Sequence, residues 1–258
     1  MISGRTIAME VSHANKLEGE GQPWAFVNYP FDARPGELPQ GTIEGAFALN
    51  IAPFNYDQIN PNSYNVTLGD TLGAYPENIA NWMVSNQQYK GISDKHAGYL
   101  REWWGRLPER MRAQLMRAYP IPEVLDTKKE PELLTTKIWD DGITLFPGIL
   151  YLGHTVERTK CHGLVPQIDG RSSVARLGIT VHQTAGFGDN GFDGQWTFEI
   201  TVAFPVRIYS GSQIAQVSFT PISGVQGPWY EGKYAGQVGP VKSGWWKEVS
   251  QLGKKCEQ

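Results

Sequence analysis

The sequence predicts a mainly β domain interrupted by one helical excursion, and three observations predict it. Gly and Pro are frequent, at 29 and 17 of 258 residues, and with 9 Trp and 11 Tyr they favour many short strands joined by turns. Strand-like runs recur between Ile143 and Phe219: ITLFPGILYLG, ARLGITVH, QWTFEITVAF, VRIYS and IAQVSF. Between residues 76 and 119 the pattern turns helical and then reverts.

Taken in order, residues 1–75 read as irregular structure with short strands. Pro, Gly and Asn recur in NYPFDARPGELPQG, whereas GAFALNIAPF has the composition of a strand. Pro76 begins a helix through Trp82, in the first-turn position that proline favours. Ser93 caps a second helix that runs through Trp103 and Trp104. Pro108 starts a third, with Met111, Leu115 and Ala118 on one face. This excursion carries Arg101, Arg106, Arg110, Arg112 and Arg117. They read as a solvated helix face rather than an anion dock, because arginine is a good helix former and is mostly exposed. Trp103 and Trp104 read as packing anchors rather than a base-stacking platform. There is no internal repeat and no low-complexity tract, so a single domain spans 1–258, with a helical insertion at about 76–140.

Composition excludes several classes. Hydrophobic residues make up 40% and charged residues 19%, with a formal net charge of -3, so nothing global points to a nucleic-acid polymer as partner. Cys161 and Cys256 lie far apart with no CxxC, which argues against a zinc site or a disulfide framework and for a reducing cytoplasmic setting. No apolar run approaches the roughly 20 residues that cross a bilayer, and the polar N-terminus carries no signal-peptide core.

The chemistry concentrates between Asp169 and Glu199, in DGRSSVARLGITVHQTAGFGDNGFDGQWTFE. Glu199 sits on an alternating strand, so its side chain points either to solvent or into a cleft. In a dry cleft it would serve as a proton shuttle near neutral pH. Asp189, in GFGDNGF, has the surroundings of a turn former. Gly170-Arg171-Ser172-Ser173 offers hydroxyl and backbone N–H donors in a tight turn, and Arg171 and Arg176 add forked donors for phosphate oxygens. The run is not a Walker loop, because the GKS/T ending is absent. His182 beside Ser172 or Ser173 does not make a triad, since no GxSxG elbow is present; a packed or backbone-bonded histidine is expected. His13, His96, His154 and His162 have no metal-ligand spacing.

These residues resemble the signature of the dCTP deaminases, members of the trimeric dUTPase-like superfamily. INPNSYNVTLGD (59–70) is similar to the family's NPxSYDLxLG strand, ITLFPGILYLGHTVE (143–157) to its PGExxLxxTxE strand, and YEGKYAGQVGPVKS (230–243) to its KYxGQxGPxxS segment. The resemblance covers 50–75 and 143–243; it does not extend to 76–140 or to most of 1–45.

The resemblance implies a distorted β-barrel or jelly roll that assembles as a homotrimer with active sites at subunit boundaries. It implies dCTP or dUTP as substrate and Mg²⁺ carried on the phosphates. Glu199 takes the position of the general base that activates water for attack on cytosine C4. Arg176 takes that of the arginine that orients this water and Glu199, and Ser172 completes the catalytic network. Arg171 and Ser173 lie where the phosphates are gripped. The backbone at Thr184 and Ala185 would read the pyrimidine edge. Asp189 would hold the 3′-hydroxyl, and Phe192 would pack under the sugar and exclude a ribose. Tyr230, Lys233, Tyr234 and Gln237 would close over the triphosphate. The zinc-dependent cytidine deaminases carry H-x-E and P-C-x-x-C, and neither pattern is present, so deamination here is expected to be zinc-independent.

AGFGDNGF is closer to the AGFIDPGF of members that continue from dUTP to dUMP and pyrophosphate than to the AHRIDPGW of those that stop at dUTP. Gly188 stands where an aliphatic residue is usual and Asn190 where a proline is usual, and both are expected to loosen the turn that positions Asp189. Gln183 is an unusual neighbour for the pyrimidine edge, which leaves a modified pyrimidine open as substrate. Two other readings stand beside the deaminase: a dUTPase-like diphosphohydrolase without deamination, and a non-catalytic nucleotide-binding regulator on the same fold.

Overall fold

The computed structural model of the protein describes residues 1–7, 47–85, 98–115, 124–223 and 227–252. The expectations for His13, Ser93, His96, Arg117, Ala118, Cys256 and the NYPFDARPGELPQG run, and for the side chains of Arg101 and Leu115, fall outside these.

The described strands are β1 (Ala48–Ala52), β2 (Tyr64–Thr67), β3 (Thr71–Ala74), β4 (Leu134–Lys137), β5 (Ile143–Leu145), β6 (Tyr151–His162), β7 (Leu164–Gly170), β8 (Ile179–Thr180), β9 (Asp193–Val202), β10 (Val206–Ile208) and β11 (Gln213–Pro221). They form three antiparallel sheets. The largest runs β4-β3-β6-β9-β8, with β1 also on β6; the others are β2-β11-β7 and β10-β5. The architecture is mainly β, as predicted. Among the described residues the pairings make three sheets about a shared core rather than one closed ring.

β9 shows why the alternation was legible. Gly194, Trp196, Phe198, Ile200 and Val202 are buried, whereas Asp193, Gln195, Thr197, Glu199 and Thr201 occupy the half-buried opposite face. A period of two is what a pleated strand with one core face requires. Other strands differ from the sequence reading. The ARLGITVH run is not one strand: Ser172–Ala175 forms a helical turn, Gly178 breaks it at φ 70°, and only Ile179–Thr180 pairs. β7 carries Pro166 and was not anticipated. It lies at the edge of its sheet, where a missing N–H costs no ladder bond on the open side.

The helices at Pro76–Ser85 and Glu109–Leu115 follow the predicted starts, and a third is described over Gly98–Arg106, its expected cap at Ser93 lying outside the described residues. Ile79, Ala80, Trp82, Trp103 and Met111 enter the core. The Trp82 indole donates to the Pro147 carbonyl at 2.8 Å, and the Trp103 ring lies 6.4 Å from that of Tyr151. These rings pack the helices onto the sheet, as the anchor reading requires. Arg106 pairs with Glu102 one turn away and donates to the Thr135 carbonyl, so this arginine has local partners on an exposed face. One correction concerns 76–140, which is not wholly helical: β4 lies within it and pairs with β3 along Thr71–Ala74, extending the main sheet.

One carboxylate is deep inside. Glu157 of β6 is 2% exposed and accepts from the Gln58 amide (2.7 Å), the Thr67 amide N–H (2.8 Å) and the Thr67 hydroxyl (2.6 Å). Those bonds satisfy the buried carboxyl oxygens and tie β2 to β6. No helix among the described residues is long and apolar enough to cross a membrane.

Candidate functional site

A cleft of about 710 Å³ opens on the half-buried face of β9. Glu199 lines it, half-buried, and its Oε2 accepts from the Gln183 backbone N–H at 2.9 Å. The Glu199 backbone N–H donates to Val181, and Leu152 of β6 stands opposite Glu199 in the register. The carboxylate is thus aimed into the cleft by a backbone donor, not splayed into solvent.

The cleft gathers most of the expected ligand-binding residues: Thr184, Ala185, Asp189, Phe192, Tyr230, Tyr234 and Gln237. Asp189 is exposed and its carbonyl accepts from the Phe192 N–H, so it both forms the turn and faces the cleft. Phe192 is buried, with its ring 4.8 Å from Trp196 and 6.2 Å from Tyr230. It supplies a firm apolar floor.

The Asp189 turn corrects an expectation. Gly188 and Asn190 do not loosen it. A Cβ at Gly188 would lie 2.5 Å from the Trp196 ring and 2.8 Å from Pro166, so the glycine is there for close approach. Its N–H donates to the Pro166 carbonyl at 2.8 Å. The Asn190 side chain accepts from the Gly163 N–H at 2.9 Å, and its carbonyl accepts from Tyr230 at 2.8 Å. Hydrogen bonds on both sides replace the restraint that a proline would give.

The C-terminal segment 227–245 runs along the polar face of β9 and forms one wall. Gln237 donates to the Gln195 carbonyl, Gly239 donates to the Gln195 side chain, and Val241 donates to Thr197. The Tyr234 hydroxyl accepts from Gly244, and the Tyr75 hydroxyl accepts from Ser243. Burial raises the Tyr75 pKa, against the Ser243 N–H, with neighbouring Tyr234 and Glu199 adding to the rise. Lys233 does not line the cleft; it pairs with Glu248, which holds its pKa above the ordinary value.

Four predicted residues stand elsewhere. Arg171, Ser172, Ser173 and Arg176 are not among the residues that line this cleft. Ser172, Ser173 and Arg176 are exposed on the turn between β7 and β8. The Arg171 guanidinium donates to the Gln213 carbonyl at 2.8 Å. One protomer therefore does not bring Arg176 to Glu199. His182 pairs with Asp169, Nε2 to Oδ1 at 3.5 Å, and not with either serine.

Sequence reasoning missed Tyr75, Gln195, Trp196 and Thr197, which all serve the cleft. Gln195 and Thr197 share Glu199's face by simple alternation, so that signal was present. Tyr75 carries no local signal; it arrives because Ala74 pairs with Tyr151 beside β9.

His162 anchors the same segment from below. It is 2% exposed and its ring lies 3.8 Å from that of Trp229. Burial, then Lys160, push its pKa down to about 4, with Asp193 opposing. The unfolded chain therefore binds a proton that the folded protein does not between about pH 4 and the ordinary 6.5. The stability from a neutral His162 is complete above that window and is lost as pH falls through it. The loss reaches roughly 3 kcal/mol at the acid end. Urea unfolding of the wild type and His162→Leu between pH 7 and 4.5 reads it: the wild type should lose more stability on acidification than the variant.

A family model described as dCTP deaminase-like matches residues 107–222, so the likeness extends into the 76–140 stretch that the sequence motifs left out. A dCTP deaminase, dUMP-forming, of Leptospira biflexa is 37% identical over 191 residues, covering 74% of this chain and 84% of its own. The protein of the same description from Clostridium acetobutylicum is 37% identical over 189 residues, covering 73% of this chain and 83% of its own. The crystal structure of 2′-deoxycytidine 5′-triphosphate deaminase from Agrobacterium tumefaciens is 18% identical with a TM-score of 0.39, covering 66% of this chain and 42% of that one, a likeness too slight to rest anything on. At the identity shown by the two relatives, over that much of their length, the chain belongs to the dCTP deaminase family.

Proposed function

We propose that the protein hydrolyses the 4-amino group of dCTP and then cleaves the resulting dUTP to dUMP and pyrophosphate. The observation that carries this reading is the Glu199 carboxylate, held by the Gln183 N–H inside a cleft that also presents Asp189, Phe192 and the Thr184–Ala185 backbone. Relatives described as dUMP-forming deaminases support both steps and do not favour a diphosphohydrolase without deamination or a non-catalytic regulator.

In the first step a water oxygen bonds to C4 while Glu199 accepts its proton. The C4–N4 bond then breaks as Glu199 returns the proton to the departing ammonia, and the added hydroxyl becomes the C4 carbonyl as its remaining proton passes to N3. One carboxylate thus serves as base and acid in turn. A guanidinium beside it would stabilise charge that develops at the base, which is Arg176's assigned part, with Ser172 completing the hydrogen-bond chain. In the second step a water placed by Asp189 bonds to the α-phosphorus, and the bond to the bridging oxygen breaks to release pyrophosphate. Asp189 also holds the 3′-hydroxyl, and Phe192 excludes a 2′-hydroxyl by filling the space beneath the sugar. Tyr230, Tyr234 and Gln237 close over the phosphates, with Lys233 released from Glu248 to join them.

Magnesium arrives on the triphosphate. The cation would be held by phosphate oxygens and water, with few protein ligands. The half-buried Arg171 and the exposed Ser172, Ser173 and Arg176 are supplied to the cleft of a neighbouring copy, so the working unit is a homotrimer whose sites lie at subunit boundaries. The buried free thiol of Cys161 suits a reducing cytoplasmic compartment.

Incubation with dCTP and Mg²⁺, with ammonia and pyrophosphate quantified separately, should give equal yields of both. Pyrophosphate from dUTP without any ammonia from dCTP would contradict the deamination step.

A further inference from the structure

A second cavity of about 320 Å³ adjoins the cleft and shares three walls with it, Tyr75, Leu125 and Leu150. Its far side is closed by Glu77, Asn78 and Asn81 of the helix Pro76–Ser85. It lies outside the chemistry assigned so far, and it is large against the roughly 30 Å³ that a water molecule occupies in liquid.

The sheet order decides which part of a bound pyrimidine would face it. Across the sheet the strands run β3, β6, β9, β8. Gln183 binds Glu199 on the β8 side of β9, and Leu152 pairs with Glu199 on the β6 side. Tyr75 follows β3, one strand further out in the same direction. In a cytosine ring, N3 and C5 flank C4 on opposite sides. A ring that shows C4 to Glu199 and its N3 edge to the backbone at Thr184 and Ala185 must turn C5 towards Tyr75 and Leu150. Behind those two side chains lies the second cavity.

The character of its walls narrows the occupant. The Asn78 amide is already committed, donating to the Gly148 carbonyl at 3.0 Å and accepting from the Leu150 N–H at 2.5 Å. The surfaces shared with the cleft are two leucines and a tyrosine ring, which favour carbon over charge.

We propose that the enzyme accepts deoxycytidine triphosphates bearing a short carbon substituent at base C5, and that the second cavity is the pocket for that substituent. Asn81, at its far wall, sets the size that fits. This rests on the deamination reading of Glu199.

The probes are dCTP, 5-methyl-dCTP and 5-hydroxymethyl-dCTP, with ammonia release followed for each. The wild type should turn over at least one substituted nucleotide with a kcat/KM within about threefold of dCTP, because a fitted pocket does not penalise an added carbon. Asn81→Trp, which fills the cavity from behind, should lower the ratio of substituted to plain kcat/KM by about tenfold, the scale of discrimination that one carbon allows in an apolar pocket. Asn81→Leu, a smaller change, should lower the ratio less, and dCTP turnover in each preparation reports that the variant is folded. Wild-type rejection of both substituted nucleotides by about 100-fold or more, with dCTP turned over, would overturn the pocket assignment and leave the deaminase reading intact. Failure to release ammonia from all three would overturn both.

Discussion

Glu199→Gln is expected to stop ammonia release from dCTP, with kcat lowered by about 10³-fold, in the range that general acid–base catalysis supplies. The replacement is isosteric. Its carbonyl can still accept from the Gln183 N–H, so the wall between residues 181 and 183 keeps its place. What disappears is the capacity to take a proton from water and hand it to ammonia. Nucleotide binding, read by calorimetry with a non-hydrolysable dCTP analogue, should stay within a few-fold, because Phe192, Asp189 and the C-terminal wall are untouched. The same variant should still release pyrophosphate from dUTP, since that step is assigned to Asp189. A variant that deaminates dCTP at the wild-type rate would refute the role given to this carboxylate.

Arg176→Ala is the second large effect. The residue is exposed on the turn between β7 and β8, and the helical turn Ser172–Ala175 is held by backbone bonds that do not use the guanidinium. The thermal midpoint should therefore barely move. Deamination should nonetheless fall by about 10²–10³ in kcat, the cost of removing one donor aimed at developing charge. The KM for dCTP should change much less, because the arginine is assigned to the transition state and not to the phosphates. Steady-state kinetics beside a melting curve separate these outcomes. An unchanged kcat would place the arginine outside the reaction altogether.

The parts of the fold legible in the sequence are those where one local rule decides. β9 alternates without interruption, so its core face and its Glu199 face could be assigned from the order of residues alone. The helix starting at Pro76 was equally plain. β7 was hidden because Pro166 reads as a strand breaker, and only the pairing partners show that it sits at an edge. β4, inside the helical stretch, has only four residues, and its pairing with β3 spans over sixty positions of chain. Gly188 illustrates a different failure. Glycine signals either conformational freedom or close approach, and only the Trp196 ring beside it tells which.

The site was legible as a set of residues but not as an arrangement. The family resemblance assembled Glu199, Asp189, Phe192, Tyr230, Tyr234 and Gln237, and the structure places all six around one cleft. The same run of sequence contains Arg171, Ser172, Ser173 and Arg176, which the resemblance assigns to sites at subunit boundaries and which nearness along the chain does not bring into this cleft. The turn at 172–175 instead presents three of these residues to the outside. Tyr75 and the second cavity come from strand register and helix packing, which no local pattern encodes.

Mixing the two inactive variants tests the shared site most directly. Glu199→Gln supplies a sound arginine and Arg176→Ala a sound carboxylate, and co-expression would combine them at random in the proposed trimer. If each site takes its carboxylate from one protomer and its arginine from the next, deamination should return to about one quarter of the wild-type level in an equal mixture, the chance that a boundary holds both intact groups. Activity no higher than that of either variant alone would mean that both groups act within one chain, and would contradict the proposed assembly.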